Sequence, residues 1–222
     1  MRITNITAHN LPDAWYQCLS AIMASEGVRE YQITRGSYEG KYRREFEFIV
    51  LRITDPGTPP LTPDIPPGLG LTPPTTADYV NEYFANYLLS PDVKPDESYT
   101  YGNRIFDQVF KVIDMFVKGG HGTNQATMEI AMPSDITLED PPCLRLIDCR
   151  VQDGKLSFVL YFRSWDLWGG FPANLAGLQL LKEFMAGEIG VKDGEIIAVS
   201  KGLHLYDYAW DFARQRVYKG GE

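Results

Sequence analysis

Three stretches carry residue types that could do chemistry together. DPPCLRLIDCR, residues 140–150, sets Cys143 directly after a proline pair and Cys149 six positions on. A thiolate adds readily to electrophilic carbon, so Cys143 is a candidate nucleophile. Further along, FRSWDLWGGFPAN, 162–174, supplies Arg163, Ser164, Asp166 and Asn174, and GLHLYDYAW, 202–210, supplies His204 and Tyr206. The planar guanidinium of Arg163 beside the Ser164 hydroxyl suits a phosphate group, because the fork meets two oxygens at once. A cation near a thiol also favours the thiolate, so the same arginine could hold an anion and arm Cys143. Cys149 falls inside a strand pattern beside Arg150 and reads as core filler.

These residues stand at the ends of expected elements. LRLIDCRVQDGKLSFVLYFRS has two alternating segments around Asp153-Gly154, the pair that favours a tight hairpin turn. Cys143 falls at its mouth and Arg163 at its far end. Pro172 opens a helix over 172–187, ended by Gly187 or Gly190. GEIIAVSKGLHLY, 194–206, reads as one strand before a short aromatic tail. Helices are expected at 13–27, with Asp13 as cap and Gly27 as stop, at 76–89 and at 103–118, and a strand at 45–53. Residues 55–74 hold eight of the fifteen prolines and form an extended loop. Strands early and late with helices between them imply a single mixed α/β layer domain over 1–222.

The whole chain bounds the function. At 222 residues with 44% hydrophobic and 23% charged residues it is of globular composition. A net charge of -8 argues against a broad nucleic-acid footprint and for a small substrate. Three cysteines without CxxC spacing suit a reducing, cytoplasmic setting, with no metal site, signal peptide or membrane span in the pattern.

PPC at 141–143, KLSFVLYFRS, RSWDLWGGFPANLAGLQLL and GLHLYDYAW, in this order, resemble the folate-using type of thymidylate synthase, closely over 123–210 and loosely over 30–104. The resemblance implies a thymidylate synthase-like α/β fold and a homodimer that methylates dUMP to dTMP. It implies Cys143 as nucleophile at uracil C6, Asn174 as reader of the uracil edge, and His204 and Tyr206 on the deoxyribose hydroxyl. Arg163 and Ser164 match phosphate contacts, Asp166 the base and pterin side, and Gly170 and Pro172 the turn before Asn174. Glu82 matches a glutamate organising water at O4, Tyr101 a tyrosine assisting proton removal from C5, and Arg35 a second phosphate contact.

The chain departs from the pattern at Leu144, where a histidine is usual, and at Thr123 and Asn124, where the family lends paired arginines across the dimer. Phosphate binding would then draw on Arg35, Arg104, Lys201 or Arg145. The sequence ends at Glu222 without the long segment that closes over the pterin, which resembles the methanogen-type branch. The implied donor is 5,10-methylene-tetrahydrofolate or 5,10-methylene-tetrahydromethanopterin. A hydroxymethylase of the same fold and a non-catalytic nucleotide-binding regulator remain as alternatives.

Overall fold

The computed structural model describes residues 1–218 apart from Ser25, Ser37 and Asp96, so the terminal Glu222 lies outside the described residues. Among the described residues, ten strands form two mixed sheets. The larger has the order β1 (Ile3–Ala8), β4 (Phe48–Ile53), β9 (Lys192–Ser200), β7 (Lys155–Phe162), β6 (Leu144–Gln152), β5 (Thr127–Glu129). The smaller has the order β2 (Val28–Gln32), β3 (Tyr42–Phe46), β10 (Leu203–Tyr206), β8 (Trp165–Asp166). Five α-helices complete the described residues: α1 (Leu11–Met23), α2 (Ala77–Tyr83), α3 (Tyr101–Gly119), α4 (Phe171–Ile189) and α5 (Trp210–Tyr218). The fold is the mixed α/β class expected from the sequence.

The β6–β7 hairpin turns at Asp153 and Gly154, with φ of 52° and 71°. Both dihedrals are positive, as a two-residue turn matching the strand twist requires. Alternate residues of each strand, Ile147, Cys149 and Val151 against Leu156, Phe158 and Leu160, are buried, so Cys149 is core. Against this face packs α4, buried over most of its surface. It ends where Gly190 turns left-handed at φ 81° and Val191 N–H returns to the Ala186 carbonyl at 3.0 Å, which selects Gly190 over Gly187 as the stop.

Several boundaries differ from the sequence expectation. Asn10 caps α1, its Oδ1 accepting from Asp13 N–H at 3.0 Å, while the Asp13 carboxylate accepts from His9 N–H at 2.8 Å. Asp13 is therefore inside the first turn, and the helix ends at Met23, before Gly27. The expected strand 45–53 is two strands, since the chain passes from the small sheet to the large one at Glu47. Residues 194–206 divide likewise at Lys201-Gly202, which carries the chain back. The helix expected at 76–89 is regular only to Tyr83. Phe84–Leu88 forms a π-turn, with Leu89 N–H on the Phe84 carbonyl at 3.0 Å. Residues 55–74 are irregular except for one 3₁₀ turn, Pro67–Leu69.

Candidate active site

Cys143 stands half-buried immediately before β6, and its backbone is held from three sides. The Tyr101 hydroxyl, at the start of α3, accepts from Leu144 N–H at 3.2 Å. Arg163 Nε donates to the Pro141 and Pro142 carbonyls at 3.2 Å each, and Arg145 donates to Pro142 at 3.3 Å. Arg145 is the extra residue of a β-bulge, because the β6–β7 register shifts between Leu144 and Leu146. A bulge bends its strand and re-aims a side chain, and here the side chain reaches Asp135. Burial pushes the Cys143 thiol up from its ordinary value; Arg163 and Arg145 pull it down, while Asp140 and Asp166 raise it. The protein therefore holds a protonated thiol at rest, with two cations placed to favour the thiolate.

A cavity of about 600 Å³ opens beside this segment, lined by Tyr79, Glu82, Tyr83, Tyr87, Tyr101 and Asn174 among others. Tyr79, Tyr83 and Tyr87 stack in sequence at 6.3 and 5.2 Å, and Tyr87 meets the edge of Tyr101 at 5.3 Å. Burial raises Tyr87 to about 12 and raises Tyr101 as well. Asn174, in the first turn of α4, accepts at Oδ1 from Trp165 Nε1 at 3.1 Å and donates from Nδ2 to the Tyr83 hydroxyl at 2.9 Å. Gly170 caps this helix where a Cβ would come 3.3 Å from Asn174 Oδ1.

On the other side, the small sheet pairs His204 with Asp166 in parallel register. His204 is 2% exposed and burial lowers its pKa to about 4, so the ring is neutral near pH 7. Its Nδ1 lies 2.8 Å from the Gly202 carbonyl and so carries the proton, leaving Nε2 a buried acceptor with no partner among the described residues. Tyr206 stacks against Tyr38 at 4.2 Å, and Arg35, three residues earlier in the chain, is exposed. Burial raises the Asp166 carboxyl, whose Oδ1 accepts from Trp168 N–H at 3.0 Å and Oδ2 from the Tyr208 hydroxyl at 3.3 Å. Ser164 is half-buried in the turn between β7 and β8.

Two of the substitute phosphate cations considered from sequence are otherwise engaged. Arg104 and Arg145 both bond the buried Asp135, at 2.8 and 3.2 Å. Arg35 and Lys201 remain exposed. Arg163 pairs with Asp140 at 3.3 Å, and that carboxylate is 83% exposed, so an incoming anion can displace it. Sequence reading missed Tyr83, Tyr87, Trp165 and Arg43. The i, i+4 spacing of Tyr79, Tyr83 and Tyr87 was the available signal for the aromatic wall. Nothing local marked Arg43, which faces Tyr206 across β3–β10 and bonds Glu45 at 2.9 Å.

The thymidylate synthase family model matches residues 83–220. A protein of Methanosarcina acetivorans named "Putative thymidylate synthase" is 33% identical over 97% of this chain and 94% of its own length. One of the same name from Methanosarcina barkeri is 31% identical over the same shares. The "Thymidylate synthase" of a Listeria monocytogenes strain is 37% identical over 46% of this chain and 32% of its own. With its match running through the cysteine, the arginine-serine turn and the His204 strand, the chain belongs to the thymidylate synthase family.

Proposed function

We propose that residues 1–222 form one catalytic domain that converts dUMP to dTMP by reductive methylation, with the Cys143 thiolate adding at uracil C6. The observation that carries this reading is that the neighbours of Cys143 are held by Arg163, through the Pro142 carbonyl, and by Tyr101, through the Leu144 N–H, and that Tyr101 lines a cavity together with Asn174. Arg163, Ser164 and Arg35 hold the phosphate, with Arg163 exchanging Asp140 for substrate. His204 accepts a sugar hydroxyl at its open Nε2, and Tyr206 stands beside it. Asn174 reads the N3–H and O4 edge. Tyr101 stays protonated at neutral pH and assists proton removal at C5; Glu82 orders water at O4, and Asp166 borders the base.

The stacked tyrosines suit a flat heteroaromatic ring, so Tyr79, Tyr83 and Tyr87 would hold the reduced pterin. When bound, the methylene form of tetrahydrofolate or tetrahydromethanopterin supplies the one-carbon unit and the hydride. We also assign a homodimer. On the outer face of the large sheet Val50, Val199, Tyr161 and Leu146 form one cross-strand row, with Ile197 and Val159 in the next, all half-buried. An apolar sheet face of this kind suits burial against a second copy. Three free cysteines fit a cytoplasmic setting, and no described helix is long and apolar enough to cross a membrane. Incubating the protein with dUMP and each methylene donor tests the reading. dTMP is the expected product; 5-hydroxymethyl nucleotide would favour the hydroxymethylase, and no turnover the binding protein.

A further inference from the structure

The two polar ends of Asn174 are not free to choose their roles. An indole N–H only donates, so Trp165 Nε1 can meet the amide oxygen at 3.1 Å but not the NH₂ group. Turning the amide by 180° would set two donors against each other. The Tyr83 hydroxyl gives no such instruction, since it donates as readily as it accepts. Trp165 is itself fixed. It is 2% exposed, its ring lies parallel to Phe162 at 3.9 Å and against Phe171 at 4.4 Å, and its backbone N–H donates to the Gly202 carbonyl at 2.9 Å. Tyr83 is pressed onto α4 at Gly177, where a Cβ would come 2.5 Å from the ring.

This matters because an unrestrained amide can read either pyrimidine. Toward uracil it accepts from N3–H and donates to O4; toward cytosine it donates to N3 and accepts from the 4-amino group. For a base held in one pose, the two readings differ by that same 180° turn. We propose that Trp165 is a specificity-positioning residue, whose indole N–H locks the Asn174 amide in the single sense that pairs with a uracil-type edge. The inference rests on Asn174 being the base contact, as proposed above. A locked amide loses a bond for each cytosine it admits, and a site built this way rejects the wrong edge because buried polar groups are left unpaired.

The test is titration calorimetry of dUMP and dCMP against the full chain, as wild type, Trp165→Phe and Tyr83→Phe. The wild type should prefer dUMP. Trp165→Phe should cut that preference by roughly tenfold or more, mainly through tighter dCMP binding, because the amide is released. Tyr83→Phe should leave it within about threefold, because the indole still sets the sense. A Trp165→Phe protein that keeps the full preference, or loses both affinities equally as a packing defect would, overturns the proposal. Hydrogen exchange at the Trp165 indole N–H of the unliganded wild type gives a second reading that needs no variant. Slow exchange is expected, and exchange as fast as an exposed indole overturns the lock. Should the wild type bind neither nucleotide while the indole stays protected, base reading by Asn174 fails and the specificity role goes with it.

Discussion

Among single residues, nearby charges act on the Cys143 thiol, and burial sets the state of the His204 imidazole. The Arg163 guanidinium is the main charge that lowers the Cys143 pKa against burial. Arg163→Met should therefore move the pH midpoint for iodoacetamide alkylation of Cys143 upward and slow the reaction at pH 8 by roughly threefold to tenfold. Peptide mapping isolates this thiol, since Cys18 and Cys149 are buried; an unchanged midpoint would remove Arg163 from thiolate activation. His204 predicts a stability effect. Unfolded, the imidazole takes a proton near pH 6.5, whereas folded it does so only near 4. As pH falls through that window the unfolded state binds more protons, and stability drops by up to about 3 kcal/mol. His204→Gln should lose roughly 2 kcal/mol less than wild type between pH 7 and 4.5 in denaturant titrations, and an equal loss would contradict the buried neutral ring. Cys143 and its polar neighbours stand out in the sequence as candidates because their identities and order mark them. The partners of Asn174 were not: Tyr83 meets it across 91 residues, and its bond to Trp165 depends on how β8 and α4 turn toward each other.

At the scale of elements, the start of α3 is positioned by a close approach. A Cβ on Gly102 would collide with the Ser90 carbonyl and come 3.1 Å from the backbone of Leu88, the last residue of the π-turn. Gly102→Ala should destabilise the protein by roughly 1–3 kcal/mol and displace the Tyr101 hydroxyl from Leu144. Denaturant midpoints measure this, and a change below about 0.5 kcal/mol would mean the segments separate freely. The β6–β7 hairpin and α4 could be read in advance because Asp153-Gly154 and Pro172 with Gly190 impose backbone conformations locally. The divisions at Glu47 and Lys201-Gly202 could not, since the apolar alternation runs on while the chain changes sheets. The π-turn was hidden for a similar reason: the i, i+4 tyrosines satisfy a helical pattern, and only packing against α3 and α4 selects the wider turn.

At the scale of the whole molecule, strand order lay beyond the sequence, because β1 against β4 and β7 against β9 pair residues far apart in the chain. The mixed α/β class was nonetheless accessible from the succession of elements. The half-buried apolar row on the large sheet makes an assembly prediction. Wild type should sediment at twice the 25.1 kDa chain mass, and Val199→Asp should yield folded monomer, since a charge at the centre of an apolar interface costs several kcal/mol. A wild-type monomer would leave that face without its proposed partner. Covalent activation of a uracil nucleotide by Cys143 can be read out by intact-protein mass spectrometry after incubation with 5-fluoro-dUMP and each methylene donor. The expected result is a mass increase equal to nucleotide plus donor, mapped to Cys143 and absent from Cys143→Ser. Unmodified protein with both donors, under conditions where the nucleotide binds, would contradict it.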